Sequence, residues 1–217
     1  MTVAAAPRAA AQELDSAEHA PALALFVPVR ARNSTDAMLA SREERAALAI
    51  DAMAKAHPNR TSIVAQLPHD LFVRAASADS LPDSAEGSYA VTRDARGRIV
   101  AVSDMPVSQS SDWYMVSDHY FDSTGSTIVM RRRASFFSGC TLPKSDSTVS
   151  VNETVASYFG AKHRLVRRTF VRTLFDGKTP APAENCNESY RTSYPIYPTL
   201  DSLVAATGLG SMVRATH

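Results

Sequence analysis

The middle of the chain repeats one local pattern, in which short runs of alternating polar and apolar residues are joined by tight turns. Asp94–Gly97 and Asp122–Gly125 each separate two such runs, and a third pair of runs meets near Phe159-Gly160. A period of two places successive side chains on opposite faces of a strand, and a glycine at the end of a turn supplies the positive φ that hairpins need. The pattern predicts an antiparallel β-meander over residues 88–175, within a sheet of about five to seven strands.

A long amphipathic helix is predicted before the meander. Asn33 and the residues after it offer N-capping oxygens, apolar residues recur up to Lys55, and His57-Pro58 ends the run. These signals place a helix over residues 34–56. We expect the charged run at 42–45 to lie on or near its solvated side, where local ion pairs explain it more simply than a partner site does.

The segment between this helix and the meander is ambiguous. Ser62–Ala65 and Leu71–Val73 have the composition of short strands around a turn that contains Pro68, but a helix over 69–76 fits nearly as well. The proline-, serine- and glycine-containing stretch 81–87 predicts a loop.

The end of the chain carries a second, shorter helix signal. Thr199 is a suitable N-cap, Leu200 and Leu203 form one apolar stripe, and Gly208 follows the last turn. The sequence therefore predicts an α+β domain over 21–217, with a long N-terminal helix and a short C-terminal one. Residues 176–217 form an extended segment and that short helix. Residues 1–20 are expected to be a flexible lead-in.

Composition excludes several classes of protein. The hydrophobic share is 45% and the net charge is +1, which is typical of a folded domain and removes the general electrostatic argument for nucleic-acid binding. The longest nearly apolar stretch, Pro21–Val29, is far shorter than the roughly 20 residues that cross a bilayer. We expect neither a nucleic-acid partner nor a membrane span.

The two cysteines, Cys140 and Cys186, lie in polar, loop-like surroundings. Free cysteines are usually buried as small hydrophobic residues, so a pair in loops favours a disulfide formed in an oxidising compartment. The Ala- and Pro-rich start of the chain fits a region after a removed leader, which points to a periplasmic or secreted protein. The alternative is a cytoplasmic protein with an Ala-rich tail and two unrelated thiols.

The sequence contains no nucleophile elbow, zinc helix or phosphate-binding loop, and its six histidines lack metal-ligand spacing. We expect no cofactor and no metal. Asp118 and His119 are neighbours on a predicted strand, so their side chains point to opposite faces. The enzymatic alternative is a hydrolase whose site forms in three dimensions from His119 and Asp104 or Asp112.

One region carries a strong charge imbalance. Residues 130–175 contain nine basic and two acidic residues, a net +7 that leaves −6 for the rest of the chain. Arg131 and Arg133 share one face of a predicted strand, and Arg168 and Arg172 share one face of another. Whether these two faces coincide depends on the register of the strands.

These observations favour a non-enzymatic, exported binding protein of the inhibitor or immunity type. It would bind another protein, an acidic one among the options, through a basic sheet face or through its hairpin loops. The alternatives are the hydrolase and a structural envelope protein.

Overall fold

The computed structural model describes residues 27–108, 110–141, 148–181 and 195–214. Eight strands form one antiparallel sheet in the spatial order β2-β1-β3-β4-β5-β6-β7-β8. The strands are β1 (Thr61–Leu67), β2 (Leu71–Ala75), β3 (Gly87–Arg93), β4 (Ile99–Pro106), β5 (Trp113–Phe121), β6 (Thr127–Thr141), β7 (Thr148–Gly160) and β8 (Arg164–Leu174). The helices are α1 (Ser34–Ala56), α2 (Leu200–Thr207) and α3 (Gly210–Arg214). The predicted α+β class is confirmed.

The hairpin turns lie where the sequence placed them. The N–H of Gly97 donates to the Asp94 carbonyl at 3.0 Å, and that of Gly125 donates to the Asp122 carbonyl at 3.1 Å. Both glycines have the positive φ that the turn requires, +78° and +82°. The third hairpin turns at Ala161–His163.

The predicted meander contributes six of the eight described strands, β3 to β8, and the sheet has one strand more than the predicted five to seven. The other two, β1 and β2, come from the ambiguous segment, so its strand interpretation is confirmed and the helix over 69–76 is wrong. His69 and Asp70 reverse the chain between them with positive φ values, which a right-handed helix does not allow.

Helix α1 has the bounds that its capping signals predict. The Asn33 side chain accepts from the N–H of Asp36 at 2.9 Å, and the N–H of His57 donates to the Met53 carbonyl at 2.9 Å. One expectation about this helix is wrong: Glu43 does not lie on the solvated side. It belongs to the buried stripe of Asp36, Ala40, Glu43 and Ala47.

Helix α1 covers one face of the sheet above β6, β7 and β8. Its small residues Ala40 and Ala47 pack against Tyr120, Val129 and Tyr158. Three ion pairs, each with a closest N to O distance of 2.7 Å, tie the helix to the strands beneath it. They join Asp36 to Arg164, Glu44 to Arg167 and Asp51 to Arg131.

Helices α2 and α3 cover the opposite face, above the other half of the sheet. Leu203 and Leu209 are buried there against residues such as Val64, Tyr89 and Val102. The predicted cap of α2 is present, since the Thr199 side chain accepts from the N–H of Ser202 and Gly208 ends the helix with a φ of +76°.

A short extended segment, residues 195–199, leads into α2, and we call it the strap. Its Pro198 carbonyl accepts from the N–H of Thr127 at 2.9 Å, and the N–H of Leu200 donates to the Gly125 carbonyl at 2.8 Å. These bonds attach the strap to the start of β6, next to the Asp122–Gly125 turn.

A third apolar cluster lies at the other end of the sheet. Cys140 is buried in it beside Met115, Phe136 and Val151. The described part of the chain contains no free cysteine. Cys186 and the lead-in 1–20 lie outside the described residues, so the Cys140–Cys186 disulfide stays a prediction. None of the described helices is long and apolar enough to cross a membrane.

Candidate functional site

The four arginines proposed from sequence as a partner-binding face do not share a face. Residues directly opposite each other in an antiparallel pair project to the same side of the sheet. On the shared neighbour β7, Arg131 and Arg133 lie opposite Ala156 and Thr154, whereas Arg168 and Arg172 lie opposite Ser157 and Glu153. Because side chains alternate along β7, the two pairs of arginines lie on opposite faces.

Most of these arginines are also bound within the chain. Arg131 forms an ion pair with Asp51 at 2.7 Å, and Arg133 forms one with Asp118 at 2.9 Å. Arg172 is only 9% exposed and donates to Glu153 at 2.6 Å.

Arg168 donates to the Ser157 hydroxyl at 2.9 Å. An arginine whose guanidinium group is already bound by a carboxylate has few N–H donors left for a partner. The contacts of the strand arginines therefore stabilise the fold.

The meander instead gathers its turns at one end of the sheet. Every second connection of an antiparallel meander lies at the same end, which here brings together Asp94–Gly97, Asp122–Gly125 and Ala161–His163. The strap joins them through its bonds to Gly125 and Thr127. We call this surface the turn end.

Two clefts flank the central turn of the turn end. The end cleft, between α1 and the sheet, has a volume of about 520 Å³ and is lined by residues that include Glu43, Thr127, Phe159 and His163. The side cleft has a volume of about 380 Å³ and is lined by residues that include Arg93, Arg98 and Asp201. Asp122 and Thr199 line both clefts. Each volume falls within the usual range of ligand pockets, roughly 300–1,000 Å³.

The end cleft combines ionised and aromatic groups. The Glu43 side chain is only 5% exposed and pairs with Arg42, whose Nε lies 2.9 Å from the carboxylate. The His163 ring stacks on Phe159 with 4.0 Å between ring centroids, and burial lowers the pKa of His163, which keeps the imidazole neutral near pH 7.

Two cations at the turn end remain available to a partner. Arg98 pairs with Asp94 and Arg164 pairs with Asp36. By contrast, Arg96 and Lys162 are exposed, and neither forms an ion pair within the described ranges. They sit in the first and third turns, on either side of the central one.

His119 lies on the other face from Asp118, as the strand pattern predicts. The Asp118 carboxylate accepts from Ser103 at 2.7 Å on the α1 face. His119 is 2% exposed, and its Nε2 accepts from the N–H of Tyr197 in the strap at 3.2 Å. A small cavity beside it is also lined by Asp104, but Asp112 lies in the β4–β5 loop at the opposite end of the sheet.

This cavity is too small for a substrate. The cavity has a volume of about 10 Å³. One buried water needs a cavity of roughly 10–15 Å³, so there is room for one water molecule and not for a substrate. Burial lowers the pKa of His119 to about 3 and raises that of Asp104 to about 6. The geometry therefore does not favour a hydrolase centred on His119.

Neither a metal site among the described residues nor similarity to known proteins indicates a function. Among the described residues, no group of three or more His, Cys, Asp or Glu side chains is placed to bind a metal ion. No protein-family model, curated protein or solved structure matches the chain significantly. The turn end is therefore the surface from which a function can be argued.

Proposed function

We propose that this chain is a non-enzymatic binding protein that engages another protein with the hairpin loops of its turn end. The observation that carries the proposal is the pair of clefts that meet at the Asp122–Gly125 turn, where Asp122 and Thr199 line both of them. A ridge between two grooves accepts two side chains or loops of a partner at once, the arrangement in which interface hot spots form.

The central turn is held rigid before any partner arrives. The Asp122 carboxylate accepts from the N–H groups of Thr124 and Ser126 at 2.8 and 3.0 Å, and from the Thr124 hydroxyl at 2.6 Å. A loop already fixed in one conformation loses little entropy when it binds, which strengthens the complex. Ser123 and Thr124 are exposed at its tip.

The available charges favour a partner with an acidic surface. Arg96 and Lys162 flank the central turn and make no described ion pair that binding would have to break. Exposed charges of this kind act mainly on the association rate, and their effect weakens as salt screens them.

We also propose that the protein acts in the periplasm or outside the cell. The support is the expected Cys140–Cys186 disulfide, which persists only in an oxidising compartment. Peptide mapping by mass spectrometry without reduction tests it: a peptide that joins the two cysteines supports export, and two separately alkylated cysteines in the native protein contradict it.

The binding proposal is tested with the wild type and two double charge variants as bait for affinity capture and mass spectrometry. The wild type is compared with Arg96→Glu/Lys162→Glu at the turn end. The control is Arg45→Glu/Lys178→Glu, which makes the same charge change at two exposed positions elsewhere.

We expect the control to retain a partner that the turn-end variant loses. For the purified pair, reversal at the turn end should slow association about tenfold and weaken its salt dependence, with a nearly unchanged melting temperature. Equal binding by both double variants would contradict the proposal.

A further inference from the structure

The His119 cavity contains a buried hydrogen-bond donor without an acceptor. The Nε2 atom of His119 accepts from the N–H of Tyr197, so it carries no proton. The neutral imidazole therefore carries its proton on Nδ1. That atom is buried and has no hydrogen-bond partner within the described part of the chain.

The same cavity is lined by a half-buried acceptor without a donor. The Asp104 carboxyl group lines it, and none of the described residues donates a hydrogen bond to it. Desolvation is the cause that raises the pKa of Asp104 to about 6, as expected for a carboxyl group that is partly removed from solvent and accepts no hydrogen bond from the described residues. Asp104 lies opposite Ser117 on β5, and His119 is the next residue of β5 that projects to this face.

We propose that this cavity is the binding site of one structural water molecule, which accepts from His119 Nδ1 and donates to the carboxyl group of Asp104. Water is the ligand that fits because it both donates and accepts, and because the volume of about 10 Å³ admits one molecule of its size. The buried Nδ1 donor carries a desolvation cost that a bridging water removes, and the half-buried Asp104 carboxyl group is the acceptor that fixes this water in place.

A metal ion does not fit this site. The lone pair of His119 Nε2 is already occupied by the Tyr197 N–H, and Nδ1 carries a proton, so the imidazole has no nitrogen left to ligate a metal. Asp104 is the one carboxylate among the described residues that line the cavity.

The water has a structural consequence for the strap. His119 holds the strap through Tyr197, and its ring lies 5.4 Å from the Tyr197 ring. A water bound at Nδ1 fixes the tautomer that leaves Nε2 free to accept. His119 is therefore a positioning residue for the strap, and the water stabilises the orientation it needs.

The experiment uses the full chain labelled with ¹⁵N. We expect NMR to show His119 as the neutral tautomer protonated on Nδ1, with a cross-peak between this ring proton and a long-lived water. A crystal structure at high resolution should place one water within about 3 Å of both His119 Nδ1 and the Asp104 carboxyl group. A cavity without water, or Asp104 bonded directly to His119, would overturn the proposal.

Two variants test the role of Asp104. Asp104→Asn keeps an oxygen that accepts from water, so the cross-peak should remain, whereas Asp104→Leu removes the acceptor of the proposed bridge and should abolish it. The exposed Asp201→Asn serves as the control and should leave the His119 signals unshifted. A water signal that survives in Asp104→Leu would contradict the bridge. If Asp104→Leu does not fold, the NMR and crystallographic measurements on the wild type still test the proposal.

Discussion

The charges on the strands and the charges at the turn end have different surroundings. Arg131, Arg133 and Arg172 project from strands onto faces where carboxylates of neighbouring elements reach them. Arg96 and Lys162 project from turns, beyond the reach of neighbouring strands. The comparison teaches that basic residues concentrated in a sheet stabilise the fold, while a smaller number at its turns stay available for a partner.

The largest effect that would test this comparison is the loss of the buried ion pair between Arg172 and Glu153. Glu153 is 3% exposed, so Arg172→Ala leaves a buried carboxylate whose remaining described cation is Arg132, at 3.7 Å. Removal of one partner of a buried pair costs about 3–5 kcal/mol, and we expect a loss near the lower end of this range because Arg132 still compensates part of the charge. Urea denaturation of Arg172→Ala should show a loss of this size in the free energy of unfolding.

The matched change at the turn end is Arg96→Ala, which should alter that free energy by less than about 0.5 kcal/mol. Similar losses in the two variants would remove the distinction between strand arginines and turn arginines. It would also remove the main structural reason for placing the binding surface at the turn end.

The local signals in the sequence were sufficient for helix α1, the cap of α2 and the first two turns of the meander, but they left the segment of β1 and β2 ambiguous and did not predict α3. Asn33, Thr199 and the glycines at 97, 125 and 208 act on residues within a few positions of themselves, and the structure uses each of them as predicted. Strand pairing followed because consecutive hairpins have one simple arrangement.

The arrangement of side chains in the site depended on information that is not local. The register of β6, β7 and β8 determines whether Arg168 lies on the same face of the sheet as Arg131, and a slip of one residue would move it to the other face. Likewise, Asp104 and His119 meet through the register of β4 and β5.

The burial of Glu43 did leave a signal in the sequence. Asp36, Ala40, Glu43 and Ala47 follow helical spacing of four, three and four residues, so they share one stripe of α1. The two alanines mark that stripe as the one closest to the sheet. The charged neighbours of Glu43 obscured this, because a run of four charged residues is more often solvated.

A smaller effect is expected from Asp104, a half-buried acid that pairs with no cation among the described residues. Its pKa is about 6 in the folded protein and 3.8 when unperturbed. The raised pKa means that the contribution of Asp104 to stability is fully present below pH 3.8 and is lost as the pH rises to about 6. Asp104→Asn should therefore be more stable than the wild type at pH 7, by at most about 3 kcal/mol, and should gain nothing near pH 3.5.

The measurement is the difference in the free energy of unfolding between Asp104→Asn and the wild type across this pH range. His119 makes a contribution of opposite sign, because its pKa is lowered from 6.5 to about 3 and its stabilisation is lost as the pH falls. Because His119 and Asp104 share one cavity, the pKa of His119 is measured by NMR in both proteins, and any change in its contribution is subtracted from the difference. A difference that does not change between pH 3.5 and 7 would contradict the burial of an ionised Asp104.

The smallest effect separates the charge of Lys162 from its backbone conformation. Lys162 has a φ of +54°, a left-handed conformation that costs a residue with a Cβ about 1–2 kcal/mol and costs glycine little. Lys162→Gly relieves this strain but gives the unfolded chain more freedom, so a net gain of about 0.5 kcal/mol in the free energy of unfolding is expected.

The control is Lys178→Gly. Lys178 is not among the residues with positive φ, so this variant should lose about 0.5–1 kcal/mol of the free energy of unfolding by the entropic effect alone. If thermal unfolding shows an equal loss of stability in both variants, the third turn carries no strain. If Lys162→Gly is more stable than the wild type but binds the partner less tightly, the charge of Lys162 is what the turn end needs for binding.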